Sequence, residues 1–312
     1  MTEPLVRVWS EGAVGRVELN RPAAINALSL GMLTALTTAL SDFAADPAIE
    51  RVELTGAGGR GLCAGADVRE LRELVLAGGD VRGFFETEYR LNLLIASYPK
   101  PYRAQMTGIT MGGGLGVSLH GSDPVVDAAS RLAMPETQIG LFPDVFVSWL
   151  LARLPGEVGT HLALTGAIVN AADALRLGLA RESVGPLPDP DPALAGDWIA
   201  QCYAGDDPVE ILGRLREHPE PAARAAAAEI AARSPLSVAV SLAAVRRAAE
   251  FADRAAQYDQ ELALAVRLTT GPDFAEGVRA QLVDRDRRPR WAHGGLAEVS
   301  RAEVASYFVE LD

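Results

Sequence analysis

Three stretches of the chain hold residue types that could act together on one substrate. Gly112-Gly113-Gly114 presents consecutive backbone N–H groups with no side chain in front of them, so a ligand oxygen can come within hydrogen-bonding reach. Cys63-Ala-Gly-Ala66-Asp67 places small residues between a strand pattern and a helix pattern, a second source of N–H groups at a helix start. In Met134 to Asp144, Glu136 and Asp144 lie among Pro, Gly, Ile, Leu and Phe, a setting in which burial raises a carboxyl pKa toward use as acid, base or nucleophile. Paired N–H donors aimed at one oxygen are what a thioester or ester carbonyl needs as it becomes an oxyanion or enolate. The residues by themselves point to acyl chemistry and no further.

Other chemistries lack their residues. A single lysine, Lys100, excludes a phosphate loop ending in Gly-Lys, and Gly116-Val-Ser118-Leu-His120 has histidine where a nucleophile elbow needs glycine. Ser118 and His120 sit two apart in one apolar run, and packing is the expected role of His120. His161, His218 and His293 are scattered, and Cys63 and Cys202 have neither metal spacing nor the number for a disulfide framework, so no metal is expected. A formal charge of −12 argues against nucleic acid or an anionic membrane as partner, and no apolar run reaches the ~18 residues of a membrane span. Free cysteines and the absence of a signal-like start give a cytoplasmic expectation.

The elements that must position these groups follow from periodicity. Val6 to Trp9 and Val14 to Leu19 alternate as strands around Glu11-Gly12. Leu30, Leu33, Leu36, Leu40 and Phe43 recur at helical spacing after Ser29, and the helix stops near Asp46-Pro47. Arg51 to Thr55 and Tyr102 to Met106 read as strands, the first leading into the loop Gly56 to Gly61, the second delivering the chain to the glycine triplet. Val68 to Leu74, Phe84 to Tyr98, Val145 to Leu154 and Ala171 to Gly178 read as helices. Gly185 to Pro192 alternates proline with acid and divides the chain into 1–190, a catalytic core, and 191–312, a helical region that includes Pro221 to Arg233 and Val238 to Leu268.

Asn20-Arg-Pro22 with Asn26-Ala-Leu28, Gly56-Ala-Gly-Gly59, Cys63 to Asp67, Ile109 to Gly114 and Met134-Pro-Glu136 together resemble the crotonase, or enoyl-CoA hydratase/isomerase, superfamily. More narrowly, Gly108 to Gly121, Met134 to Asp144, Phe84-Phe85 with Glu88-Tyr89, Asp273 to Ala280 and Asp284 to Trp291 resemble its 3-hydroxyisobutyryl-CoA hydrolase branch. The resemblance implies an α/β (α+β) fold, a spiral core of ββα turns with a helical C-terminal region that trimerises or folds back over the site, the chain assembling as a homo-oligomer, trimer or dimer. It implies an acyl-CoA substrate and no separate cofactor. The thioester oxygen would be held by the backbone N–H groups of Ala66 and Gly113, with Gly112 beside them, and adenine contacts would be main-chain ones around Leu62 and Ala64. Glu136 takes the position of the catalytic glutamate and Asp144 that of the acid that holds the acyl hydroxyl or assists water.

One residue separates the activities within the family. Hydratases carry a second glutamate just after the triplet, where this chain has Gly116. The expected reaction is therefore hydrolysis of a short-chain 3-hydroxyacyl-CoA, with Glu136 attacking the thioester or acting as general base; hydration or isomerisation of an enoyl-CoA is the alternative. Two departures stand out. Ala23 replaces the family's common lysine, and Asp144-Val-Phe146-Val147 replaces a run of smaller residues, so the Phe146 ring either lines the acyl pocket or packs in the core.

Overall fold

Period-two alternation does set the first strands. In the computed structural model, which describes residues 3–311, β1 (Val6–Glu11) and β2 (Val14–Leu19) form an antiparallel hairpin whose β2 side chains Val17 and Leu19 are fully buried. Seven further strands follow: β3 (Arg51–Gly56), β4 (Tyr102–Gln105), β5 (Ile109–Met111), β6 (Asp123–Asp127), β7 (Arg131–Ala133), β8 (Val169–Asn170) and β9 (Glu182–Val184). They make a six-stranded sheet in the order β1-β2-β3-β4-β6-β9, parallel from β2 onward, and a three-stranded sheet β5-β7-β8. The helix Leu30–Ala45 starts on Ser29, whose side chain accepts from the Met32 N–H, and buries Met32, Leu33, Leu36, Leu40 and Phe43 along one face.

The chain forms two compact units rather than a front and a back half. One consists of the residues up to Asp67 with Glu86–Ala133 and Ile168–Asp191, and it holds all nine strands. The other takes Val68–Phe85, Met134–Ala167 and the chain from Pro192 onward, and it is helical. One boundary between the units falls at Asp191 and Pro192, in the proline-rich linker, and 68–85 and 134–167 belong to the helical unit. Composition changes at the linker, whereas these two excursions look locally like the core that surrounds them in sequence.

Within the first unit the strands are used in pairs. β1 and β2 precede the helix Leu30–Ala45; β4 and β5 precede the one-turn helix Gly113–Gly116. The leading strand of the second pair joins the large sheet and its follower the small one. Isolated parallel bridges, Leu28 with Ala66 and Cys63 with Thr110, extend the small sheet's ladder beyond β5. This is the expected ββα spiral. Strands β5 to β9 have no sequence expectation behind them; β5, β7, β8 and β9 are only two or three residues long and too short for a period to declare itself.

The second unit is built from helices that bury small residues. Pro221–Ala232 hides Ala223, Ala226, Ala227 and Ile230, and Pro235–Ala248 is buried along most of its length. The helical stretch expected over Val238 to Leu268 consists of two helices, Pro235–Ala248 and Tyr258–Thr270. Likewise Val145 and Phe146 are not helical; both are left-handed, and the helix there is only Val147–Leu151. Among the described residues no single helix is long and apolar enough to cross a membrane.

Candidate active site

In the first unit the site is made of backbone. Asn26, itself left-handed at φ +56°, is fully buried and donates from Nδ2 to the carbonyls of Ala57, Gly61 and Leu62, while its Oδ1 accepts from the Arg21 N–H. One side chain thereby fixes both ends of the glycine loop. The buried Cys63 thiol donates to the Asn26 carbonyl at 3.2 Å, and burial pushes its pKa up to about 12, so it is a packed thiol and not a nucleophile. Arg21 pairs with Asp67 at 2.5 Å, closing the segment that carries Ala66.

Register then brings the two proposed donors side by side. Cys63 is bridged to Thr110 in parallel, so the residues three further on, Ala66 and Gly113, reach the same end of the ladder. A Cβ built on Gly113 would lie 3.1 Å from the Ala66 nitrogen. In the Leu28–Ala66 bridge it is Leu28 that makes both bonds, to the Gly65 carbonyl and from the Asp67 N–H, which turns the Ala66 N–H away from that neighbour. Gly113 is the first residue of its helix, where an N–H has no partner within the helix. Among the described residues neither N–H donates to a backbone carbonyl. Gly112 precedes them at φ 51°, ψ −126°, a conformation open only to glycine, and its own N–H is held by the Ala133 carbonyl. The pair is therefore an anchored set of two adjacent N–H donors.

A third group in this unit was not among the candidates. Glu88 is 1% exposed on the helix Val81–Ala96, and a Cβ on Gly113 would come within 2.5 Å of its Oε1. A carboxyl thus reaches the triplet from another helix, and its charge also contributes to the raised Cys63 pKa. The signal was present in the sequence: Phe84, Phe85, Tyr89, Leu91 and Ile95 mark a buried stripe, and Glu88 and Asn92 interrupt it at i, i+4 spacing. Of the proposed adenine contacts, Leu62 is 1% exposed and its N–H is taken by the Thr107 carbonyl; Ala64 is exposed. Ser118 spends its hydroxyl on the Gly114 carbonyl at 2.7 Å, and His120 is buried.

The second unit supplies the candidate acids. Glu136 opens a one-turn 3-10 helix, Glu136–Ile139, and is 6% exposed. That turn ends on Gly140 at φ +77°, where a Cβ would strike the Asp273 carbonyl carbon at 2.6 Å, so close packing against Pro272–Val278 fixes how Glu136 is presented. Asp144 is 5% exposed, and its carbonyl accepts from the Val147 N–H across a left-handed turn, Val145 at φ +49° and Phe146 at φ +58°. The Phe146 ring is fully buried and stacks on Tyr258 at 6.5 Å, which is the core placement. Behind the turn lies a buried carboxyl outside the candidate set. Glu261 accepts from Ser148 Oγ at 2.5 Å, from Gln257 Nε2 at 2.7 Å and from the Phe146 N–H at 3.3 Å. Among the described residues no group of three His, Cys, Asp or Glu side chains could hold a metal ion.

The ββα spiral thus carries the Ala66 and Gly113 N–H groups side by side, neither donating to a backbone carbonyl. Known proteins share this fold. The family model described as enoyl-CoA hydratase/isomerase matches residues 14–186 and 184–308. The chain is 36% identical to 3-hydroxyisobutyryl-CoA hydrolase, mitochondrial, of Rattus norvegicus, over 96% of this chain and 87% of that one, and 33% identical to the Homo sapiens protein of the same name, over 98% and 89%. Two solved structures superpose over 99% of this chain and 98% of theirs: a carnitinyl-CoA dehydratase from Mycobacterium thermoresistibile, with a TM-score of 0.95 at 41% identity, and an enoyl-CoA hydratase from Rhodobacter sphaeroides, with 0.93 at 37%. The chain belongs to the enoyl-CoA hydratase/isomerase, or crotonase, family.

Proposed function

We propose that the enzyme hydrolyses a short-chain 3-hydroxyacyl-CoA, 3-hydroxyisobutyryl-CoA or a near relative, to the free acid and CoA. The observation that carries this reading is Gly116, which is buried in the one-turn helix and leaves that helix without the acid a hydratase would place there. The extent of similarity to proteins named as hydrolases supports it. In this reading the Ala66 and Gly113 N–H groups take the thioester oxygen as it becomes an oxyanion. Glu136 attacks the carbonyl carbon, the C–S bond breaks, and CoA leaves as a thiolate that takes up a proton. Water then opens the mixed anhydride with Asp144 as its base, returning Glu136 as a carboxylate. If Glu136 instead activates water directly, the same products form in one step.

A second reading has its own observation. Glu88 brings a carboxyl to Gly113 from outside the triplet helix, so a water could be held there for hydration of an enoyl-CoA, and the two similar solved structures are named as a dehydratase and a hydratase. A panel of acyl-CoA and enoyl-CoA thioesters, followed for free thiol and for enoyl absorbance at once, decides. Thiol release from 3-hydroxyacyl substrates is expected; loss of enoyl absorbance without thiol overturns hydrolysis in favour of hydration.

A further inference from the structure

Glu261 lies on the helix Tyr258–Thr270, more than a hundred residues from the turn it touches, and is fully buried. Burial of a carboxyl is unfavourable unless hydrogen bonds answer for it, so a carboxyl in such a place is held for a reason. Its three bonds all lead to one feature. Oε2 accepts from the Phe146 N–H, and Oε1 accepts from Ser148 Oγ and from Gln257 Nε2, which also donates to Ser148 Oγ at 2.6 Å. Phe146 and Ser148 flank the start of the helix Val147–Leu151, immediately after Asp144.

That turn needs a clamp. Val145 and Phe146 are consecutive non-glycine residues at positive φ, and Val145 is β-branched, the type least tolerant of the left-handed region. Strain of this kind persists only where surrounding bonds over-determine the backbone. Without such a clamp the peptides would relax toward ordinary φ, and the Asp144 side chain at their root would swing.

We infer that Glu261, with Ser148 and Gln257, is a positioning residue that clamps the Asp144–Phe146 turn and so aims the Asp144 carboxyl. The inference rests on the role proposed for Asp144. Burial first, and the nearby charge of Asp144 as a further cause, push the Glu261 pKa up to about 8, so at neutral pH the clamp is largely uncharged and adds little like-charge repulsion to Asp144.

The test is a double-mutant cycle between Glu261 and Asp144, read as kcat and KM on whichever thioester the parent turns over. Glu261→Ala is expected to lower kcat about tenfold to a hundredfold with KM nearly unchanged, as loss of aim does. Glu261→Gln keeps acceptors for Ser148 and Gln257 and should recover most of that loss. In an Asp144→Asn background Glu261→Ala should cost almost nothing more, because its effect passes through Asp144. Equal losses in both backgrounds, or a Gln variant as poor as Ala, overturn the inference. Hydrogen exchange at the Phe146 amide is the readout without activity: it should quicken in Glu261→Gln and more in Glu261→Ala, and unchanged protection overturns the clamp even if Ala alone proves too unstable to assay. If the parent hydrates and releases no thiol, the hydrolase reading falls while the cycle, run on hydration, still decides the role of Glu261.

Discussion

The two units solve the same problem, holding polar groups away from water, by opposite means. In the first, the proposed working groups are backbone N–H donors, and devices nearer in sequence fix them: Asn26, 31 to 36 residues from the carbonyls it stitches, and a parallel register that sets Ala66 beside Gly113. In the second, the proposed working groups are carboxyls, and their support comes from farther along the chain: Glu261 and Gln257 behind the Asp144 turn, Asp273 against Gly140. Backbone donors need glycine and small residues, which leave a motif. Buried acids need partners, which leave none.

The largest effect should fall on the acid side. Glu136→Gln keeps the shape and removes the nucleophile or base, so turnover should drop by about three or more orders of magnitude while acyl-CoA binding, measured by calorimetry, survives. Turnover within about tenfold of the parent would move the chemistry to another carboxyl, Glu88 or Asp144. On the donor side, Ala66→Pro deletes an N–H that carries no backbone bond in the fold, and kcat should fall about 10²–10³-fold. A parent-like kcat in a folded Ala66→Pro protein would break the comparison, since the backbone half would then be scaffold only.

The contrast in support also explains what the sequence made legible. The hairpin, the helix after Ser29, the strand into the glycine loop and the triplet were all readable, because each rests on local period, cap or glycine. Glu136 and Asp144 were singled out by their apolar neighbours and their resemblance to a family pattern, and both are indeed buried. Glu88 was quoted only as part of the family resemblance and given no role, and Glu261 was not singled out. Glu88 needed the apolar stripe of its helix to be read for what interrupts it, and Glu261 needed a contact across 115 residues. The turn at Val145-Phe146 read as helix because residue type there gives no warning of left-handed backbone; long-range bonds impose it.

Phe146 tests that last point through stability. Phe146→Gly relieves a left-handed strain of about 1 kcal/mol and loses a fully buried ring worth about 3–5 kcal/mol, so a net loss of about 2–4 kcal/mol is expected by denaturant titration. The order of preference among acyl chains should not change. A reordered preference would put the ring in the pocket instead.

The smallest expected effect is on the pH dependence of stability, and it again differs between groups. Burial holds His161 neutral, its Nδ1 2.8 Å from Tyr203 Oη, and brings its pKa down to about 4 from 6.5; between these values the unfolded chain binds a proton that the folded one refuses. Stability from this group is present above about pH 6.5 and is lost as pH falls through 4. Glu261, raised from 4.5 to about 8, does the reverse: the folded chain keeps a proton that the unfolded one releases, so its contribution is present below about pH 4.5 and is lost as pH rises through 8. Melting temperatures across pH should show Glu261→Gln flattening the alkaline decline and His161→Asn flattening the acid one. A Glu261→Gln curve parallel to the parent's would mean that the carboxyl is already ionised in the fold.

The most direct test of hydrolysis by Glu136 compares the parent with Glu136→Gln on 3-hydroxyisobutyryl-CoA, following free thiol and free acid together. The account predicts equal yields of the two from the parent, and from the variant neither at more than about a thousandth of the parent's rate. Thiol release that persists in Glu136→Gln, or a parent that consumes enoyl-CoA without releasing thiol, would contradict it.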